Sequence, residues 1–265
     1  MTDAMNLQRL KVTVDGYVAR VTLDRPDVRN AFDEATIVEL TAAFRTLADN
    51  ASIRVIILAA NGPAFCAGAD LNWMKRMAAY TDAENRADAL GLATMLNTLY
   101  ACSKPVIAQV QGDAYAGGMG LVAVADIAIC AESAHFCLSE AKLGLMPATI
   151  APYVIRALGE QASRRYFTTA ELFDCATALR LGLVSESVSE EQLDATVKQL
   201  ADTLCANGPH AVRACKQLVQ DIAVRELDEA LIADTASRIA RVRASAEGRE
   251  GVASFLEKRT PSWRT

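Results

Sequence analysis

Two apolar segments rich in β-branched residues each run into a turn of small residues. RVIILAA (54–60) leads to FCAGADL (65–71), and PVIAQVQG (105–112) leads to GDAYAGG (112–118). Apolar runs of this length without polar alternation read as strands buried on both faces, the kind a parallel sheet uses. Glycine and alanine let a second backbone or a ligand approach closely, and a turn that opens a helix leaves N–H groups unpaired. Two such N–H groups converging on one point make an oxyanion hole, stabilising charge that develops on an oxygen by roughly 3–4 kcal/mol each. The alternative is that the glycines only let elements pack tightly; for either turn alone both readings stand.

The rest of the chain fits around these two units. LKVTVDG and YVARVTLD read as a strand pair turning at Gly16, and RPDVRNAF follows as a loop. Over 33–50, Ile37, Leu40, Ala43, Phe44 and Leu47 recur at helical spacing. A longer helix is predicted over 82–102, stopped by Ser103 and Pro105, and DIAICAES and HFCLSE read as two further strands. This alternation predicts an α/β fold of stacked right-handed β-α-β units. Beyond about residue 150 the segments read as helices, including the long segment 190–206 and the segment 226–256. A soft boundary falls near 190–205. We divide the chain into a core over 1–195 and a helical region over 196–265, which covers its own core or a partner subunit. No low-complexity linker separates them, so independent folding is not expected.

Composition excludes several function classes. The chain has 265 residues, 52% hydrophobic and 22% charged, which is ordinary globular composition. A formal charge of −5 and the lack of an aromatic–basic stripe argue against nucleic acid as a partner. The longest apolar run, near Leu121–Ala125, is interrupted by Asp126, so no membrane span is expected. Seven cysteines with no C-x-x-C pair, mostly among apolar residues, read as buried free thiols. With charges interrupting the first twenty residues, the cytoplasm is the expected location. His135 and His210 are the only histidines, too few for a multi-histidine zinc site, and read as packing or surface groups. Neither a serine-hydrolase elbow nor a phosphate loop is present. No metal is expected.

Four ordered blocks, DRPDVRNAF, FCAGADL, GDAYAGGMGL and HFCLSEAKLGLMP, together with a C-terminal FLEKRTPSW, resemble the enoyl-CoA hydratase/isomerase (crotonase) superfamily nearly end to end. The resemblance implies a crotonase-like spiral of repeated β-β-α units with a C-terminal helical trimerisation region. It implies an acyl-CoA thioester substrate, no cofactor beyond the coenzyme A carried by that substrate, and a homotrimer or a hexamer of two trimers. By position it assigns the oxyanion donors to the backbone N–H groups of Ala69 and Gly117, and the catalytic carboxylate to Glu140. Ala67 falls where the family meets the CoA adenine through the main chain, and Arg29 near the nucleotide part of CoA. Phe255 and Lys258 fall where a neighbouring subunit's nucleotide is contacted. The run AHFCLSEAKLGLMPATIAPYVIRALGE is most similar to the bacterial 3-methylglutaconyl-CoA hydratase branch. Asp70 reads as a helix-start residue.

Two departures leave the reaction open. Many hydratases of the family carry a second glutamate three residues after the oxyanion glycine; here that residue is Gly120, and ATIAP (148–152) replaces a glycine-rich turn. One expectation is that Gly120 leaves room for a branched acyl chain. Hydration of a branched, carboxylated 2-enoyl-CoA is the first reading, and Δ3,Δ2-enoyl-CoA isomerisation by Glu140 alone is the alternative. A non-catalytic RNA-binding member is a third, opposed by the acidic charge. Lys75, Arg76 and Arg86 are candidates to meet a distal carboxylate, and Tyr80, Tyr115 and Tyr153 to line the pocket.

Overall fold

The computed structural model describes residues 7–264; residues 1–6, part of the charge-interrupted first twenty noted above, lie outside them. The chain starts with β1 (Leu10–Asp15) and β2 (Val18–Leu23), an antiparallel pair turning at Gly16, whose φ is +55°. Helix α1 (Glu34–Asp49) is started by Asp33, whose carboxylate accepts from the Thr36 N–H. It buries the predicted stripe Ile37, Leu40, Ala43, Phe44 and Leu47. The elements that follow are β3 (Val55–Ala60), β4 (Ala64–Cys66), α2 (Leu71–Met77), α3 (Asp82–Tyr100), β5 (Val106–Val110), β6 (Asp113–Tyr115) and α4 (Gly117–Ala123). Next are β7 (Ile127–Ala131), β8 (His135–Cys137), α5 (Ala151–Leu158), α6 (Glu160–Thr169), β9 (Phe173–Asp174), α7 (Cys175–Leu181) and β10 (Glu186–Val188). Helices α8 (Glu190–Ala206), α9 (Pro209–Ile222), α10 (Glu229–Ala244) and α11 (Ala246–Leu256) complete the chain.

The strands form two sheets. The larger runs β1-β2-β3-β5-β7-β10 and is parallel from β2 onward; the smaller runs β4-β6-β8-β9. Three successive passes put one strand in the large sheet and the next in the small one: β3 then β4, β5 then β6, β7 then β8. A helical segment follows each pass, which gives the spiral of β-β-α units. The sequence predicts turns where β4 and β6 lie. Strands of three residues are too short for period-2 alternation to register, so of the second sheet only β8, within HFCLSE, is expected from the sequence.

Strand β3 is buried on both faces, as predicted. Ile56 and Leu58 face the main core with α1 and α3, while Val55, Ile57 and Ala59 face Leu193, Val197 and Ala201 of α8. Helix α8 therefore runs unbroken across position 195 and belongs with the sheet through this second apolar layer. Leu193→Ala is expected to cost about 2–5 kcal/mol in denaturant unfolding. A loss below about 1 kcal/mol, the size of an ordinary surface effect, would place α8 outside the cooperative core.

Two expectations need correction. Cys130 on β7 and Cys175 at the start of α7 are joined in a disulfide rather than free; Cys66, Cys102, Cys137, Cys205 and Cys215 are free thiols. The pair is 45 residues apart, and it comes together because α7 packs beside β10, which pairs with β7. The segment 226–256 is two helices, because Ser245 ends α10 in an extended conformation and caps α11 by accepting from the Gly248 N–H.

Candidate active site

The first turn is held from outside by the loop before α1. Phe32 donates its N–H to the Gly68 carbonyl (2.9 Å) and accepts from the Asp70 N–H (3.0 Å), forming a parallel bridge that spans Ala69. In such a bridge the spanned residue turns its own N–H away from the partner. The Ala69 N–H has no acceptor among the described residues. Gly68 has φ +91°, open to glycine and strained for other residues. Asp70 caps α2, accepting from the Asn72 and Trp73 N–H groups, as the sequence suggested. Burial pushes the Asp70 carboxyl up, but those N–H groups and the Arg25 guanidinium at 2.9 Å hold it below the usual carboxylate range.

The second turn lies directly against the first. A Cβ placed on Gly68 would sit 3.1 Å from the Tyr115 carbonyl oxygen and 3.7 Å from the Gly117 nitrogen. One on Gly118 would sit 2.3 Å from the Cys66 carbonyl oxygen. Ala116 adopts φ 48°, ψ −121°, a costly conformation for a residue with a Cβ. Its N–H donates to the Cys137 carbonyl (2.8 Å), and its carbonyl accepts from the Met119 N–H (3.0 Å). The Gly117 N–H at the head of α4 has no acceptor among the described residues. Two unpaired donors from turns 48 positions apart in sequence, Ala69 and Gly117, thus come together through glycine-to-backbone contact.

Glu140, three residues after the end of β8 at Cys137, lies in the 3₁₀ turn Ser139–Leu143. Since the Cys137 carbonyl holds Ala116, this turn departs beside the Gly117 segment. Burial pushes the Glu140 carboxyl above its usual range, and its Oε2 is buried without a hydrogen-bond partner. A buried acceptor left without a donor is costly, so such a group is poised to take a proton or hold water.

The two departures from the family pattern meet. A Cβ on Gly120 would lie 2.2 Å from Ile150 Cγ2 and 2.9 Å from Ile150 Cβ. Gly120 therefore does not leave room for an acyl branch: the isoleucine of ATIAP fills that space, which corrects the expectation above. Ile150 is itself 1% exposed.

The remaining candidates are dispersed. Ala67 donates its N–H to the Arg29 carbonyl (3.0 Å), which leaves only its own carbonyl for a ligand. Arg29 has φ 52°, and its exposed guanidinium lies near Tyr115. Tyr115 donates to Asp113 (2.8 Å), and its hydroxyl is pushed up to about 12 by burial and by that bond. Arg76 is engaged with Glu34 and Arg86 pairs with Asp82, while Lys75 is exposed. Tyr80 also reaches Glu34, and Tyr153 packs on Tyr100 with ring centroids 5.2 Å apart. His135 meets Asp113 and His210 meets Arg213. Phe255 is 81% exposed at the end of α11, which packs on α9 and α10, and Lys258 lies exposed just beyond. A cleft of about 950 Å³ lies elsewhere, on the outer face of the large sheet between Arg20, Gln109 and the α8 residues Asp194 and Lys198. Among the described residues no group of three or more His, Cys, Asp or Glu could hold a metal.

The decisive observation is the match of the family model for Enoyl-CoA hydratase/isomerase to residues 13–265. The chain belongs to the enoyl-CoA hydratase/isomerase family. It is an enzyme of the enoyl-CoA hydratase type. The fold is similar to an enoyl-CoA hydratase from Shewanella pealeana, with TM-score 0.94, 43% identity and 97% of each chain covered. It is similar also to one from Mycobacterium smegmatis, with TM-score 0.91, 33% identity and 97% and 100% coverage. A carnitinyl-CoA dehydratase of Proteus mirabilis is 32% identical over 262 residues, 97% of this chain and 98% of that one. Within this hydratase-type enzyme, both turns and Glu140 are candidates from the sequence, whereas Phe32 and Ile150 enter only with the structure. The RNAF run is the trace of Phe32, where Arg29 and the buried Asn30, φ 52° and 54°, anchor the loop that carries it, and ATIAP is the trace of Ile150.

Proposed function

We propose that the enzyme adds water to the double bond of a branched, carboxylated 2-enoyl-CoA such as 3-methylglutaconyl-CoA. One observation carries this reading: two unpaired N–H groups, Ala69 and Gly117, beside a segment bearing the buried, partnerless Glu140 carboxyl. Attack of water on the β-carbon sends negative charge to the thioester oxygen. Preorganised N–H donors stabilise that oxygen in a site with little water. Glu140, with its carboxylate destabilised by burial, takes a proton from the attacking water and returns one to the α-carbon. No redox step is involved. The names of the relatives, an enoyl-CoA hydratase and a carnitinyl-CoA dehydratase, support water addition or removal next to a thioester. Arg29 and the Ala67 carbonyl are our candidates for the nucleotide end of CoA. Phe255 and Lys258 are candidates to reach a neighbouring subunit's CoA in a trimer or hexamer. Exposed Val219, Ile232, Ile239, Val252 and Leu256 on α9–α11 support such assembly. No helix among the described residues is long and apolar enough to cross a membrane.

The Gly120–Ile150 contact favours a second reading, isomerisation of a 3-enoyl-CoA by Glu140 alone, since hydrocarbon stands where a second carboxylate would be. A substrate panel of 3-methylglutaconyl-CoA, crotonyl-CoA and a 3-enoyl-CoA, followed by product mass, separates them. Hydration adds the mass of one water and removes the conjugated absorbance; isomerisation adds no mass. A panel in which only the 3-enoyl-CoA turns over, at constant mass, sinks the hydratase reading.

The same contact predicts coupling. Gly120→Glu alone is expected to lose about 1–3 kcal/mol of stability through overpacking against Ile150. Pairing it with Ile150→Ala should recover most of that loss. A double-mutant cycle by denaturant unfolding reads it, and additive losses would show that the two residues do not share the space.

A further inference from the structure

Phe32 touches both halves of the candidate oxyanion hole by different means. Its main chain makes the two hydrogen bonds that bracket Ala69. Its ring tip lies on Gly117: a Cβ there would be 2.3 Å from Phe32 Cζ and 2.8 Å from Cε1. The ring is 1% exposed and packs on Trp73, with centroids 5.9 Å apart. Its sequence neighbours are fixed as well. Asn30 accepts from the Arg25 N–H and donates to the carbonyls of Asn61 and Ala64. Asp33 caps α1 and pairs with Arg9 and Arg25. A residue so tethered can serve as a fixed spacer between two turns that otherwise meet through the β4–β6 pairing at Cys66 and Ala114 and, beyond it, through glycine.

We infer that Phe32 is a positioning residue that sets the separation and direction of the Ala69 and Gly117 N–H donors, its backbone fixing one and its ring the other. This rests on the reading that those two groups receive the thioester oxygen. Phe32 meets neither substrate nor reacting atoms and acts through the donors. Loss of the ring frees Gly117 to drift while the backbone bridge to Ala69 survives, so the hole loosens on one side. Displacement of a preorganised donor by about 1 Å costs on the order of 10²-fold in rate.

The test uses the full-length enzyme and the variants Phe32→Leu and Phe32→Leu/Gly117→Ala. The probe is a saturated acyl-CoA labelled with ¹³C at the thioester carbonyl, which binds without reacting, and difference infrared spectroscopy reads its C=O stretch. In the wild type the stretch falls on binding, because two donors polarise the carbonyl. In Phe32→Leu the fall is expected to be smaller, and kcat to drop about 10–100-fold, with KM changed less than about threefold. A mere loss of folded protein would lower the active fraction without altering the stretch of the bound ligand. If Phe32→Leu does not fold, the double variant keeps the test open. Its added methyl occupies the space the ring vacated, so it should fold and exceed Gly117→Ala alone in kcat. An unchanged stretch in Phe32→Leu, or a double variant no better than Gly117→Ala alone, overturns the role of Phe32. A wild-type stretch that does not move on binding overturns instead the assignment of Ala69 and Gly117 as donors, and the inference with it.

Discussion

Glu140→Gln is expected to lower kcat by about 10²–10⁴-fold while leaving the protein at least as stable as the wild type. Both halves follow from burial. The amide keeps the shape of the side chain but cannot accept a proton, so the transfer between water and the α-carbon loses its carrier. The wild-type carboxyl sits above its ordinary value of 4.5 because burial penalises its charged form. A group whose folded pKa is raised holds its proton more tightly when folded. Its contribution to stability is full below about pH 4.5 and is lost as pH rises through the folded value. At neutral pH, well above the unfolded value, burial of Glu140 is therefore a cost, and the glutamine removes it. Thermal unfolding should show the variant more stable than wild type near pH 7, with the difference closing near pH 4. The acid limb of the wild-type kcat profile should lie above pH 4.5, where the base becomes available. Loss of conjugated enoyl-thioester absorbance measures kcat. A variant within about tenfold of wild type would remove Glu140 from the chemistry.

What could be read from the sequence depended on how local each signal was. The strand-to-turn junctions at Cys66–Asp70 and Tyr115–Gly118 were legible because small residues must cluster wherever backbones touch. The stripe of α1 was legible from its period. Of the small sheet only β8 was legible, within HFCLSE; β4 and β6 have three residues each and pair with each other across 45 or more positions. Ile150 could be seen as part of an unusual turn, yet nothing local ties it to Gly120, 30 positions earlier in the sequence. Phe32 is the same case. An aromatic residue in a loop before a helix is unremarkable until the two turns it braces are placed around it. Catalytic identity was therefore carried by short patterns, and the positioning of those patterns by contacts that only folding creates.

Gly118→Ala should reduce kcat by about 10²–10³-fold, the loss of one oxyanion donor. A methyl at this position would stand 2.3 Å from the Cys66 carbonyl oxygen and 2.8 Å from Cys66 Cβ. Neither can yield cheaply. Cys66 is fully buried in the strand that feeds the first turn, and its thiol, pushed up to about 12 by burial, is inert packing. The turns must therefore separate, and the Gly117 N–H moves with the chain that carries it. Gly91 on α3 supplies the control, since a Cβ there meets nothing within 4 Å and the residue is solvent-exposed. Gly91→Ala should stabilise the helix by about 0.5–1 kcal/mol and leave kcat unchanged. The contrast separates close approach of two backbones from the general effect of adding a methyl to a helical glycine. Steady-state kinetics with thermal unfolding on both variants decides it. Full activity in Gly118→Ala would mean that contact between the two turns does not set the donor geometry, and the site would then have to be built from Glu140 and a different pair of N–H groups.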